Sequence, residues 1–151
     1  MNNRGCVLWT KEKAIEKAIG KSGPIESGWG YHLMMTLRRC NPELIRDEGI
    51  IKQFIVDLCD KIKMTRHGEP LLTRFGSDPK VCGYSVVQFI EESNITFRVL
   101  PAEISGHWVE ENNKIFLDIF SCVQFDIDPT VEFCKKFFKA EEVEHRYIVR
   151  N

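Results

Sequence analysis

Two apolar stretches of the chain end in side chains that can act as nucleophiles or acids. The first, GYSVVQFIEES, runs from Gly83 to Ser93, and the second, FLDIFSC, ends at Cys122. Serine and cysteine become nucleophiles when a neighbouring group activates them, and a thiol can also donate a proton. Because side chains alternate along a strand, we expect Ser85 and Ser93 to share one face of the first stretch. Taken alone, however, a cysteine in such a place is more often an inert buried thiol.

Both stretches are predicted to be strands that are covered on both sides, because apolar residues occur on both of their faces. One face of the second stretch carries Ile115, Leu117 and Ile119, and the opposite face carries Phe116, Asp118, Phe120 and Cys122. This pattern predicts contact with another sheet, either within the same protomer or across a dimer.

The other elements predict one domain over residues 29–151, preceded by an appendage and linker over residues 1–28. The appendage contains a weak helix over residues 11–19 and the run SGPIESGWG, which is typical of a linker. The domain is predicted to begin with a strand over 29–37 and a helix from Asn41-Pro42 to Met64. Strands follow over 70–75 and 84–93, then one or two strands within 95–109, and a strand over 114–123. A helix from Asp128-Pro129 and a strand over 143–149 complete the domain. This order predicts an α+β fold, a two-layer sandwich in which two helices cover one face of a mainly antiparallel sheet.

Composition excludes several classes of protein. The chain has 151 residues, 43% of them hydrophobic, and a net charge of −1, which gives no electrostatic basis for binding nucleic acid or an anionic membrane. No apolar run approaches the roughly 20 residues that span a bilayer, and the first residues do not resemble a signal peptide, so we expect a cytoplasmic protein. The six cysteines and four histidines show no metal-binding spacing, so no metal site is expected.

Five short motifs occur in a defined order along the domain. They are GYHL at 30–33, CNPELI at 40–45, YSVVQFIEES at 84–93, SGHW at 105–108 and LDIFSC at 117–122. In this order they resemble the bacterial and archaeal class of S-adenosylmethionine decarboxylases, and the resemblance extends from Trp29 to the C-terminus. It implies that family's fold, S-adenosylmethionine as the small-molecule substrate, and a homodimer.

The resemblance further implies a proenzyme that cuts itself between Glu92 and Ser93. The Ser93 hydroxyl would attack the preceding carbonyl to form an ester, and loss of the Cα proton would expel the N-terminal fragment and leave a dehydroalanine. Water would then hydrolyse this dehydroalanine to a pyruvoyl group, with release of ammonia. This covalent cofactor would form a Schiff base with the substrate and accept the electrons left by carbon dioxide. The product would supply the aminopropyl group for spermidine synthesis.

Four more roles follow from the resemblance. Ser85 would polarise the oxyanion during processing, His107 would take the Cα proton, and Cys122 would protonate the decarboxylated carbon. Phe75 and Glu92 would contribute to substrate binding, and aromatic faces would favour the substrate's sulfonium.

The chain departs from the family in one place. The family has its histidine five residues after the pyruvoyl serine, where this chain has Arg98, so about nine residues within 94–103 are inserted as a loop, a bulge or a re-registered strand. Two alternatives therefore stay open: a pyruvoyl-dependent decarboxylase of ornithine or arginine, and a non-processing, non-catalytic regulatory paralogue.

Overall fold

The computed structural model describes two parts of the chain, residues 30–91 and 101–151. The predicted appendage, Glu92, Ser93 and Arg98 lie outside these described residues. None of the helices within the described ranges is long and apolar enough to cross a membrane.

The described residues form seven strands and three α-helices. In chain order these are β1 (Gly30–Arg38), α1 (Pro42–Ile45), α2 (Glu48–Lys61), β2 (Thr65–Arg66), β3 (Leu71–Phe75), β4 (Gly83–Glu91), β5 (Pro101–Val109), β6 (Lys114–Ser121), α3 (Ile127–Phe137) and β7 (Glu142–Arg150). The strand order is β2-β4-β5-β6-β1-β7, β3 also pairs with β4, and every pairing is antiparallel. The predicted α+β class and antiparallel sheet are confirmed.

The helical region that begins at Asn41 is split in two. The Asn41 side chain accepts hydrogen bonds from the backbone N–H groups of Glu43 and Leu44 and so caps α1. Asp47 has an extended backbone, and its carboxylate accepts from the N–H of Ile50, which starts α2 as a separate helix. The sequence predicted one continuous helix here because the apolar spacing alone does not reveal the second cap.

The helices and one face of the sheet enclose the hydrophobic core. Phe54 of α2 lies at its centre, with ring centroids 6.1 Å from Trp108 of β5 and 4.6 Å from Phe138. All three rings are fully buried. The fully buried Ile104 and the adjacent Val86 show that β5 and β4 point their even-numbered side chains at this core.

The opposite face of the sheet, which we call the open face, carries the odd-numbered side chains of β4 and β5. Large apolar side chains on it are exposed, including Leu71 (63%), Phe89 (49%) and Phe116 (42%). The sequence predicted that both faces would be covered, but the described residues provide no second layer over this one. Cover from a second copy therefore stays a prediction.

The start of β4 tolerates no side chain at Gly83. A Cβ atom there would lie 1.9 Å from the backbone oxygen of Trp108, which cannot move without breaking the pairing of β4 with β5. We expect Gly83→Ala to destabilise the fold by about 2 kcal/mol or more, and thermal unfolding should show a Tm lower by roughly 5 °C or more. Gly49→Ala in α2 is the control, because its Cβ would meet only the Asp47 side chain, at 3.2 Å; equal losses in both variants would contradict this account.

Candidate active site

Two predicted site residues, Ser85 and His107, are in contact on the open face. They lie directly opposite each other in the pairing of β4 with β5, and Ser85 Oγ is 2.7 Å from His107 Nδ1. A neutral imidazole with its proton on Nε2 accepts from the hydroxyl through Nδ1. The pair can therefore hold a serine hydroxyl in a fixed direction and exchange a proton with it.

A pocket with a volume of about 650 Å³ opens at the end of the open face where β4 finishes and β5 begins. Its walls include the phenyl rings of Phe89 and Phe120. Its ionisable lining residues are His32, His67, Glu91, Glu103, Asp118 and Arg150. Such a combination of rings with a few charged groups is typical of small-molecule sites.

Two histidines in this pocket are each paired with a carboxylate. His32 Nε2 lies 3.1 Å from Asp118 Oδ1, and His67 Nδ1 lies 3.2 Å from Glu91 Oε2. Because a carboxylate can only accept, each contact fixes which ring nitrogen carries a proton. Within residues 30–91 and 101–151, no three potential ligands are grouped closely enough to hold a metal ion.

Gly30 makes room for one wall of the pocket. A Cβ at Gly30 would lie 2.5 Å from the ring of Phe120. With that space free, the Phe120 ring packs edge-on against His32, with centroids 6.1 Å apart, and the guanidinium of Arg150 lies 5.6 Å from the ring centroid. The ring is thus fixed between an imidazole and a cation.

The Ser85–His107 contact lies beside one end of the pocket, because Ser105, which lines the pocket, is two residues from His107 on β5. The other end of the pocket, at Glu91, is distant from this contact. Ser85 and Glu91 lie on one continuous strand, six residues apart. At about 3.3 Å per residue this separation is roughly 20 Å.

The other predicted site residues are distributed differently. Cys122 directly follows β6 and is half-buried. Phe75 ends β3 opposite Gly83 with 55% of its surface exposed, beyond Ser85 and away from the pocket. Glu92 and Ser93 lie outside the described residues.

Sequence reasoning missed the pocket residues His32, His67, Glu103 and Arg150. The alternation of side chains along β5 could have predicted that Glu103 shares a face with His107. The pairing of His32 with Asp118 carries no local signal, because the two residues are 86 positions apart.

Comparison of the sequence with the profiles of known protein families gives a match to one family. The family whose sequence profile matches is described as S-adenosylmethionine decarboxylase, over residues 31–151. An S-adenosylmethionine decarboxylase proenzyme of Thermodesulfovibrio yellowstonii is 28% identical over 93 residues, which is 62% of this chain and 58% of that protein. The match thus spans less than two thirds of that relative's length.

The fold also resembles a solved structure. The crystal structure of the adenosylmethionine decarboxylase from Aquifex aeolicus VF5 matches with a TM-score of 0.59, covering 83% of this chain and 93% of the other. At 12% identity, this likeness concerns the fold alone.

The cysteines differ in the burial of their thiols, which gives a test of the structure. Burial raises the pKa of Cys40 and of Cys59 to about 12 and also raises the pKa of Cys134. Only the thiolate reacts with iodoacetamide, so at pH 8 the three buried thiols should be alkylated slowly, at least ~10-fold more slowly than the more accessible Cys82 and Cys122.

Peptide mass spectrometry of the native protein measures these rates. In guanidinium chloride the differences should vanish, because unfolding removes the burial. Alkylation of Cys59 in the native protein as fast as that of Cys122 would contradict the structure.

Proposed function

The chain belongs to the S-adenosylmethionine decarboxylase family, and from this we propose that it is a self-processing, pyruvoyl-dependent decarboxylase of S-adenosylmethionine. The observation that carries the proposal is the 2.7 Å contact between Ser85 and His107. Both residues were assigned to processing by family resemblance, and the register of two strands puts them side by side. The product would be the aminopropyl donor for spermidine synthesis.

Processing requires three actions from the chain's own residues. The Ser93 hydroxyl attacks the carbonyl of Glu92, the Ser85 hydroxyl donates to the oxyanion that forms, and His107 takes the Cα proton of Ser93. The Ser85–His107 contact supports the last two roles, since it places the hydroxyl and the imidazole side by side on one face of the sheet. The pyruvoyl group left at position 93 supplies a ketone that withdraws electrons from the substrate.

The pocket at the end of β4 is the proposed substrate site. Glu91, which lines it, precedes the cleavage site by two residues in the sequence. Its volume suits a molecule of the size of S-adenosylmethionine, and its rings and carboxylates favour a cation. Cys122 follows Phe120 by two residues and is the proposed donor of the proton that replaces carbon dioxide.

A homodimer is part of the proposal. The exposed apolar side chains of the open face, such as Leu71, Phe75 and Phe116, form a surface that a second copy would cover. A twofold axis would pair this surface with itself.

One observation favours the non-processing paralogue as a second candidate. Ser85 lies roughly 20 Å from Glu91 along β4, whereas two further residues of chain span at most about 7 Å. Processing through Ser85 and His107 therefore requires the last residues of β4 to leave β5. A chain that keeps this pairing would stay uncut and act by binding a ligand or an active homologue.

The mass of the purified protein under denaturing conditions tests processing. We expect two fragments, one ending at Glu92 and one that begins with a pyruvoyl group at position 93. Ser93→Ala should give a single chain of about 17.6 kDa, because it removes the attacking hydroxyl, whereas Ser77→Ala in the exposed loop before β4 should be cut like the wild type. Cleavage that persists in Ser93→Ala would refute the mechanism, and an uncut wild type would favour the paralogue.

Cys122→Ala separates processing from turnover. We expect the variant to be cut into the same two fragments while its rate of carbon dioxide release falls by about 100-fold, in the range of general acid catalysis. Release of carbon dioxide and identification of the amine product measure this, and the product also distinguishes S-adenosylmethionine from ornithine or arginine as substrate. Unchanged turnover would remove Cys122 from the reaction.

A further inference from the structure

We infer that Glu103 selects an organic cation as the ligand of the pocket, with Phe89 and Phe120 as the aromatic walls on either side of its carboxylate. The inference rests on the proposal that this pocket takes the substrate. It deepens that proposal by naming the residue that recognises the substrate's positive charge.

Glu103 differs from the other two carboxylates of the pocket in its side-chain contacts. Asp118 is paired with His32, and Glu91 is paired with His67. The Glu103 side chain, by contrast, forms no hydrogen bond or ion pair with another residue of the described ranges, and it is exposed.

The charge balance of the whole pocket points the same way. Three carboxylates and one guanidinium line it, so with neutral imidazoles its formal charge is −2. The guanidinium of Arg150 lies over the ring of Phe120. This contact shows that the face of the ring can accept a cation.

The sheet register places Glu103 between the two rings. Glu103 is directly opposite Phe89 on β4 and directly opposite Phe120 on β6. Directly opposed residues on one face of a sheet have Cβ atoms about 5 Å apart, so both rings are within reach of whatever the carboxylate binds. Phe89 keeps 49% of its surface exposed, which leaves ring area for a ligand.

A carboxylate between aromatic rings favours a particular chemical class. The carboxylate supplies a full negative charge, and ring faces attract cations that carry alkyl groups and are weakly hydrated. The sulfonium of S-adenosylmethionine and the weakly hydrated guanidinium of arginine both belong to this class. Glu103 is the last residue of the stretch 94–103 in which the sequence predicts an insertion relative to the family, so it is suited to define this chain's own specificity.

Ligand pairs that differ in charge test the inference on the purified full-length protein. One pair is S-adenosylmethionine and the neutral thioether S-adenosylhomocysteine, and the other is L-arginine and its uncharged analogue L-citrulline. Titration calorimetry at pH 7.5 gives the Kd of each ligand for the wild type, Glu103→Gln and Glu144→Gln. Glu144 is the matched control, because it lies on the open face outside the pocket, where it pairs with Arg38.

For one of the two ligand pairs, the wild type should bind the cation about 5 to 10 times more tightly than its neutral analogue. This ratio is expected for the attraction of a cation to a partly exposed carboxylate and two aromatic rings. Glu103→Gln should bring that ratio to within about twofold of unity, and Glu144→Gln should keep it. The pair that shows the effect identifies the source of the cation.

Two other results overturn the inference in distinguishable ways. If the wild type binds but Glu103→Gln keeps the same preference for the cation, Glu103 is not the selecting residue and the proposed function stands. If the wild type binds neither member of either pair, the pocket is not the substrate site and both proposals fail. Because Glu103 is exposed, Glu103→Gln should keep the wild-type Tm, which excludes unfolding as the cause of a lost preference.

Discussion

The antiparallel register of β4 against β5 is the constraint on which both parts of the open face depend. Side chains alternate with a period of two, so a slip of one residue would exchange the faces of a whole strand. Such a slip would expose Trp108, which is fully buried against Phe54, and bury His107 in its place. The hydrophobic core thus fixes the position of residues that never contact it. The contact of His107 with Ser85 and the placement of Glu103 between two rings are consequences of packing on the other side of the sheet.

The elements with a clear local signal could be predicted from the sequence. The alternation in β4 and β6 correctly placed Ser85 with Phe89, and Asp118 with Phe120, on shared faces. The two-residue β2 carries too little pattern to be recognised. The contact of His32 with Asp118 depends on β1 pairing with β6, and that choice of neighbour is decided by the packing of the whole sheet rather than by local periodicity.

The end of β4 is held by three independent contacts. Ile90 is buried in the core with 2% of its surface exposed, Arg66 and Thr65 of β2 pair with the last two residues of β4, and His67 contacts Glu91. Exposing Ile90 alone would cost about 1.5 to 3 kcal/mol. The geometry that positions Ser85 beside His107 therefore opposes the movement that would bring the chain after Glu91 to them. Processing through these two residues would therefore have to break the contacts at the end of β4 first.

The open face is divided between apolar and polar regions. Leu71, Phe75 and Phe116 lie on the strands around the Ser85–His107 contact, whereas the ionisable side chains of the pocket lie around Phe89 and Phe120. A second copy that covered the apolar region would exclude water from Ser85 and His107, and a hydrogen bond in such a low-dielectric environment is electrostatically stronger. The pocket would then be at the edge of the interface, where a charged ligand can still enter. Association and ligand binding would thus use different parts of one sheet face without competing for the same residues.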